Sequence, residues 1–247
     1  GRGAVEIIKA GVHMLDISHN LHSQAEACDA LRQAVLDGEI PMEQLDQTVR
    51  HILRYKEMYG LFDPQPSIEE RLASVDWEEN RRICRQISEE SITLVRGEEM
   101  LPLKKGNGLF ISTPPITLII VDEKIDAGNT FATAAAEYFS GVAREISLEP
   151  SDEQIESLCR EAADKDYVVL GTYNAYCNPA QQKLQQALLK ANPNLISVAL
   201  RASYDSDCSR DVPCYLLTYE YTEHSIRSLL RVLSGERKPE GLPPLAL

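Results

Sequence analysis

Basic residues are scarce in this chain compared with acidic ones, and long apolar runs are missing. The 247 residues include 25 lysines and arginines against 38 aspartates and glutamates, which gives a formal net charge of -13. Phosphate binding depends mainly on clustered lysine and arginine, so a nucleic-acid partner is not expected. No run of about 18 apolar residues occurs, and therefore no membrane-spanning helix is expected.

Paired cysteine motifs are also missing. The six cysteines are scattered without C-x-x-C spacing, which argues against a zinc site and against a dense disulfide framework. We expect reduced thiols and a cytoplasmic rather than secreted protein, although pairing of Cys208 with Cys214 stays open. A leader upstream of Gly1 also stays open. The cysteines are Cys28, Cys84, Cys159, Cys177, Cys208 and Cys214.

The first residues have the pattern of one half-turn of an α/β layer. Apolar residues at helical spacing predict a helix over residues 4–10, which Gly11 would end in a left-handed conformation. The short apolar run over residues 12–17 predicts a strand, and polar residues follow it. Further helices are predicted over residues 23–36 and from Pro41 to about residue 58.

A proline-rich segment separates this region from the rest of the chain. Residues 62–67, FDPQPS, have no periodicity and predict a linker. Beyond it, helices and strands alternate, which predicts an open, largely parallel sheet with helices on both faces. The helices are predicted over residues 77–89, 130–139, 152–163, 181–191 and 225–233, and the strands over residues 92–95, 117–121, 167–170, 195–200 and 213–218.

Five segments in order resemble the family 3 glycoside hydrolases, most closely their β-N-acetylglucosaminidase branch. They are residues 4–18, 44–63, 90–103, 198–205 and 215–241. The resemblance implies an α/β fold in which residues 1–61 are the last strand and helices of a (β/α)8 barrel. Residues 62–76 would be a linker and residues 77–247 an αβα sandwich. His13 and the pair Ala202-Ser203 depart from the family pattern at structural positions.

The resemblance also implies an activity, which is retaining hydrolysis of terminal N-acetylglucosamine without a metal or organic cofactor. The family's aspartate nucleophile and histidine acid/base belong to barrel loops that would precede Gly1. We therefore expect no catalytic residue here, an inactive isolated chain, and two partners: a glycan substrate and an N-terminal barrel portion. The alternative is a noncatalytic carbohydrate-binding or assembly module, with self-association through exposed barrel edges.

Candidate substrate-proximal residues lie at two strand ends. Asp16 lies near the end of the predicted barrel strand and Ser18 and His19 follow it, and the carboxyl ends of such strands belong to the active face of these barrels. Tyr173 and Asn174, in the segment GTYNAYCN that also contains Tyr176, follow a strand of the predicted open sheet, where ligands often bind. The competing interpretations are helix capping for Asp16 and Ser18, solvent exposure for the histidine, and an ordinary polar connection for the second segment.

Two other patterns do not support a site. Asp122, Glu123 and Asp126 are too close in sequence for the paired carboxylates of a glycosidase, and a solvated loop is expected there. The segment Gly106-Asn107-Gly108 lacks the third glycine of a dinucleotide-binding motif, and it predicts a turn.

Overall fold

The chain forms two compact units, Gly1–Val75 and Asp76–Leu247. The computed structural model describes residues 1–18, 20–115 and 130–243. The strand predicted over residues 117–121, the acidic residues Asp122, Glu123 and Asp126, and His19 lie outside the described residues.

The described part of the first unit is helical. Its small core contains Val5, Ala34 and Ile40, and no residue of the long third helix is buried. A short fourth helix was not predicted, although Ser67 and Glu70 form its capping box. The helices are α1 (Arg2–Lys9), α2 (Leu21–Leu36), α3 (Met42–Met58) and α4 (Ile68–Ala73).

The strand predicted over residues 12–17 is wrong. These residues form no strand in the structure, and Met14 is 69% exposed. A strand is stabilised by hydrogen bonds to a neighbouring strand. All regular elements described within residues 1–75 are helices, so the apolar run has no strand to pair with.

The second unit is built around a six-stranded sheet with strand order β1-β6-β5-β4-β2-β3. The pair β1 and β6 is antiparallel, and the other neighbours are parallel. The predicted largely parallel sheet is therefore confirmed. The strands are β1 (Thr93–Arg96), β2 (Gly108–Ser112), β3 (Val142–Glu145), β4 (Tyr167–Thr172), β5 (Leu195–Ala199) and β6 (Cys214–Leu217).

Helices cover both faces of this sheet. Neighbouring residues of a strand point to opposite faces, and accordingly Phe110 joins one apolar cluster while Leu109 and Ile111 join the other. The helices α6 (Phe131–Phe139) and α9 (Glu223–Leu233) pack into the first cluster, and α5 (Trp77–Ser91) packs against α9. The helices α7 (Asp152–Ala162) and α8 (Pro179–Ala191) pack into the second.

Two strands were not predicted, and both matter for the topology. The segment Gly106-Asn107-Gly108, which was predicted to be a turn, leads directly into β2. All five residues of β2 are buried. The edge strand β3 is short and half polar. The chain passes from β2 to β3 on one side and then returns to β4 on the other side of β2. The order of strands therefore reverses between β2 and β4.

Candidate functional site

The carboxyl ends of β2 and β4 meet where the strand order reverses. In open α/β sheets, ligands bind in the crevice at this point. Tyr173 and Asn174 directly follow β4, so the structure places both predicted residues there. Arg201 and Tyr204 follow the adjacent strand β5 at the same edge of the sheet.

Tyr173 is buried, with 4% of its surface exposed. Its hydroxyl accepts a hydrogen bond from Arg201 Nη1 at 2.8 Å, and the guanidinium carbon lies 5.4 Å from the ring centroid. Its backbone N–H donates to Gln181 Oε1 at 2.9 Å, and its carbonyl accepts from Gln181 Nε2 at 3.0 Å. These contacts position the loop that follows β4.

Asn174 begins the turn that displays Tyr176. Its φ of 55° lies in the left-handed region, which asparagine tolerates better than most residues. A 3-10 turn, Ala175–Cys177, follows it directly. Asn174 itself is half-buried.

A buried carboxyl group, that of Asp205, joins two turns at this edge. Asp205 is 0% exposed, and its Oδ2 accepts from Thr172 Oγ1 at 2.7 Å while Oδ1 accepts from the Tyr176 N–H at 3.0 Å. Burial raises the pKa of Asp205. Hydrogen bonds from Thr172, Tyr176 and Ala175 lower this pKa, but their effect is smaller than that of burial. The carboxyl thus ties the end of β4 to the 3-10 turn Ser203–Cys208.

Two tyrosines are exposed where these turns meet. Tyr176 is 47% exposed and Tyr204 is 56% exposed. Their ring centroids are 5.7 Å apart, and the ring planes meet at 58°. The sequence analysis considered Tyr176 but missed Arg201, Tyr204 and Asp205. Their segment, residues 198–205, contributed there only to the family resemblance.

The first turn of α6 also lies at this edge, and its backbone N–H groups donate to hydroxyl oxygens of other side chains. In nucleotide-binding α/β proteins, the first amides of such a helix bind phosphate. Here three of these amides already donate to oxygens of this chain, which argues against a nucleotide phosphate at this position. The contacts are Phe131 N to Tyr221 Oη at 2.8 Å, Ala132 N to Ser112 Oγ at 3.1 Å and Thr133 N to Thr130 Oγ1 at 3.2 Å.

The predicted residues of the first unit lie in the segment that precedes α2. Asp16 and Ser18 are both exposed. Neither caps α2, because Asn20 Oδ1 accepts from the Ser23 N–H at 2.9 Å. Gln24 Nε2 donates to the Ser18 carbonyl at 3.1 Å and thereby holds the segment against the helix.

A ladder of aromatic rings along α3 was not predicted. His13 stacks on His51 with ring centroids 4.2 Å apart, and Tyr55 follows at 5.0 Å from His51. Tyr59 continues the ladder at 6.4 Å from Tyr55. The ladder borders an open cavity of about 410 Å³. The spacing of His51, Tyr55 and Tyr59 by four residues along one helix face was the available signal.

The structure also bears on metals, disulfides and membrane spans. No group of three or more histidine, cysteine, aspartate or glutamate side chains in the described part of the chain is arranged to hold a metal ion. All six cysteines are free thiols, so Cys208 and Cys214 do not pair. None of the described helices has the length and apolar character needed to cross a bilayer.

Several solved structures are similar to this chain. A family 3 β-N-acetylglucosaminidase from Paenibacillus sp. str. FPU-7 matches with a TM-score of 0.79 and 27% identity, over 98% of this chain and 47% of its own. A fungal multi-domain β-N-acetylglucosaminidase matches with a TM-score of 0.73 and 24% identity, over 96% of this chain and 27% of its own. The β-glucoside phosphorylase BglX matches with a TM-score of 0.66 and 20% identity, over 95% of this chain and 43% of its own. No protein-family model and no curated protein sequence matches.

The second unit has the αβα sandwich architecture found in the C-terminal part of family 3 glycoside hydrolases. Within that family, the structural neighbours of the chain include β-N-acetylglucosaminidases, and the chain matches the C-terminal portion of the Paenibacillus enzyme. It spans about half the length of that enzyme, 47%. The resemblance inferred from the five sequence segments is thereby confirmed.

Proposed function

We propose that this chain is the C-terminal half of a retaining family 3 β-N-acetylglucosaminidase, which removes terminal N-acetylglucosamine from glycans such as peptidoglycan fragments. The observation that supports this is the match to the Paenibacillus enzyme over 98% of the chain at a TM-score of 0.79. In this proposal residues 1–61 complete a (β/α)8 barrel, residues 62–76 connect it to the sandwich, and residues 77–247 form the sandwich.

Retaining hydrolysis needs two catalytic groups, and in this proposal neither belongs to these 247 residues. It needs a carboxylate nucleophile about 5 Å from a proton donor, with both groups beside the anomeric carbon. In the proposed enzyme both groups belong to the barrel portion outside these 247 residues. The proposed substrate-proximal residues are Asp16, Ser18 and His19 in the first unit and, separately, Tyr173 and Asn174 in the second. Exposure of Asp16 and Ser18 is compatible with this role.

The activity is tested with an aryl N-acetyl-β-glucosaminide. The 247-residue chain alone should show no turnover above a heat-killed control. The chain expressed together with the segment that its coding sequence places upstream of Gly1 should hydrolyse the substrate. Turnover by the isolated chain would contradict the barrel-borne nucleophile, and an inactive complete protein would contradict the glycosidase assignment.

The barrel-side residues have a separate test in the complete enzyme. Asp16→Asn should raise KM about tenfold, the effect of losing one charged hydrogen bond of roughly 1.5 kcal/mol. Asp29→Asn is the matched control, because Asp29 is exposed on α2 and pairs with Arg32 three residues away. An unchanged KM in Asp16→Asn would remove Asp16 from the site.

A second candidate function is a noncatalytic carbohydrate-binding or assembly module. The observation in its favour is α3, which has no buried residue and exposes Val49, Leu53 and Met58. Exposed apolar faces of this kind are usually covered by another protein surface. Sedimentation of the isolated chain tests this: self-association supports the module, and a compact monomer counts against it.

A further inference from the structure

We propose that a cavity beside α8 in the second unit binds a small zwitterion, an α-amino acid with a short apolar side chain. The cavity has a volume of about 200 Å³ and lies between the second half of α8 and the segment that leads into β6. The proposal goes beyond the proposed glycosidase function, since it concerns the binding of a different class of molecule. The lining residues that carry it are Gln186, Leu189, Lys190, Cys208, Asp211 and Val212.

The volume of the cavity limits the size of its ligand. Pockets that bind drug-sized molecules measure roughly 300–1,000 Å³. A cavity of about 200 Å³ therefore takes a smaller molecule, and a single amino acid has a suitable size. Val212 is buried and Leu189 is half-buried, so together they give the cavity an apolar wall against which a hydrocarbon side chain can pack.

The rim of the cavity has one positive and one negative side chain. Lys190 and Asp211 are both exposed, and within the described residues neither of them forms an ion pair. Nearby charges are paired, since Lys183 of the same helix and Arg210 of the same segment each contact an aspartate. A free ammonium and a free carboxylate at one rim can together bind a ligand that carries both opposite charges. The carboxylate and ammonium of an α-amino acid meet this requirement.

The thiol of Cys208 completes the wall without adding a charge. Cys208 is half-buried, and its Sγ donates to the Asp205 carbonyl at 3.1 Å. Burial raises the pKa of this thiol, so it is protonated at neutral pH. Among the described residues that line the cavity, Lys190 and Asp211 are therefore the charged ones.

Buried hydrogen bonds hold the two walls of the cavity in place. Gln185 of α8 is 2% exposed, and its Nε2 donates to the Cys208 carbonyl at 2.9 Å while its Oε1 accepts from Ser209 Oγ at 3.2 Å. Arg96 Nε donates to the Val212 carbonyl at 2.9 Å and so fixes the end of the same segment. Groups that are held in place before binding lose less entropy when a ligand arrives.

The experiment is a nuclear magnetic resonance titration of the 247-residue chain with L-valine and two analogues. Isovalerate has the same carbon skeleton without the ammonium, and isobutylamine has it without the carboxylate. We expect valine to bind at least about threefold more tightly than either analogue, because an ion pair at an exposed rim contributes modestly to affinity. The amide resonances that shift should be those of the second half of α8 and of the segment before β6.

Two variants connect the effect to the rim. Lys190→Gln should weaken the binding of valine and isovalerate but not of isobutylamine, and Asp211→Asn should weaken the binding of valine and isobutylamine but not of isovalerate. The controls are Lys183→Gln on the same helix and Asp207→Asn in the same segment, since both residues are exposed and already paired. Neither control should change the affinity for any of the three molecules.

Several results would overturn the proposal. These are valine binding no tighter than that of both analogues, unchanged valine affinity in Lys190→Gln and Asp211→Asn, and no saturable binding of valine. An equal loss of valine affinity in Lys183→Gln and Lys190→Gln would also overturn it, because the effect would then be one of general surface charge. No glycoside is hydrolysed in these titrations, so the glycosidase proposal is decided separately.

Discussion

At the level of single residues, the buried carboxyl of Asp205 holds together the loops of the candidate site in the second unit. Its carboxyl is fully buried and accepts hydrogen bonds from Thr172 Oγ1 and the Tyr176 N–H. A buried polar group is tolerated when it is hydrogen-bonded, and it is costly when it loses a partner. The side chain therefore stabilises the loop geometry on which the candidate site depends.

Replacing this carboxyl tests its structural role. Asp205→Asn places an amide nitrogen where a carboxylate oxygen accepts, so the Thr172 hydroxyl or the Tyr176 N–H loses its acceptor. We expect the free energy of unfolding to fall by about 1–3 kcal/mol. Urea unfolding followed by circular dichroism measures this. Asp207→Asn, at an exposed position of the same turn, should change it by less than about 0.5 kcal/mol.

The raised pKa of Asp205 gives a second prediction, for the pH dependence of stability. A carboxyl whose pKa is higher in the folded than in the unfolded chain stabilises the fold at pH values below its unfolded pKa. That contribution is lost as the pH rises through the folded pKa. The stability advantage of the native chain over Asp205→Asn should therefore shrink as the pH rises from 4 to 8. An advantage that grows over this range would contradict the raised pKa.

At the level of elements, hydroxyl groups from other strands and loops complete the start of α6. The Tyr221 hydroxyl accepts from the Phe131 N–H and donates to the Thr113 carbonyl, each at 2.8 Å. Ser112 Oγ at the end of β2 accepts from the Ala132 N–H. The first amides of a helix have no partner within the helix, so these contacts contribute to its stability. They also connect α6 to β2 and to the segment after β6.

Removing one hydroxyl group tests this connection. Tyr221→Phe leaves the Phe131 N–H and the Thr113 carbonyl without this partner, and we expect a loss of about 1–3 kcal/mol in the free energy of unfolding. Tyr204→Phe makes the same chemical change at an exposed tyrosine and should have an effect below about 0.5 kcal/mol. Equal effects in the two variants would mean that the Tyr221 hydroxyl has no special role.

The elements that could be predicted share a physical cause. The helices α7, α8 and α9 each bury one face, so their apolar residues recur at helical spacing. The strands β4 and β5 are covered on both faces and appear as continuous apolar runs. The strand β3 lies at the sheet edge with two exposed residues, and its short half-polar sequence carries no such signal. The run over residues 12–17 carries the signal, but the described residues of its unit include no strand with which it could pair.

At the level of the whole molecule, the two units differ in how much core they contain. The second unit has apolar clusters on both faces of its sheet. The described part of the first unit has one small cluster around Val5, Ala34 and Ile40, and no residue of α3 is buried. Since burial of apolar surface is the main driving force of folding, the two units should differ in independent stability.

Separate expression tests this difference. Residues 76–247 should unfold in one cooperative transition in urea, because apolar clusters pack against both faces of their sheet. Residues 1–75 should show helical circular dichroism without a cooperative transition, because their core is small and α3 has no buried residue. A sharp transition for residues 1–75 would show that this unit needs no covering surface. It would also weaken the proposal that it completes a barrel.

The order of residues along the chain was sufficient for the class of fold, for most helices and central strands, and for the family resemblance, because each depends on local periodicity or on motifs within a segment. It also indicated Tyr173 and Asn174 as residues at a strand end. Only the tertiary structure places Arg201 on Tyr173, joins Tyr176 to Tyr204, and buries Asp205 between their turns. These contacts connect residues that are about 30 positions apart, and their distances follow from the pairing of β4 with β5.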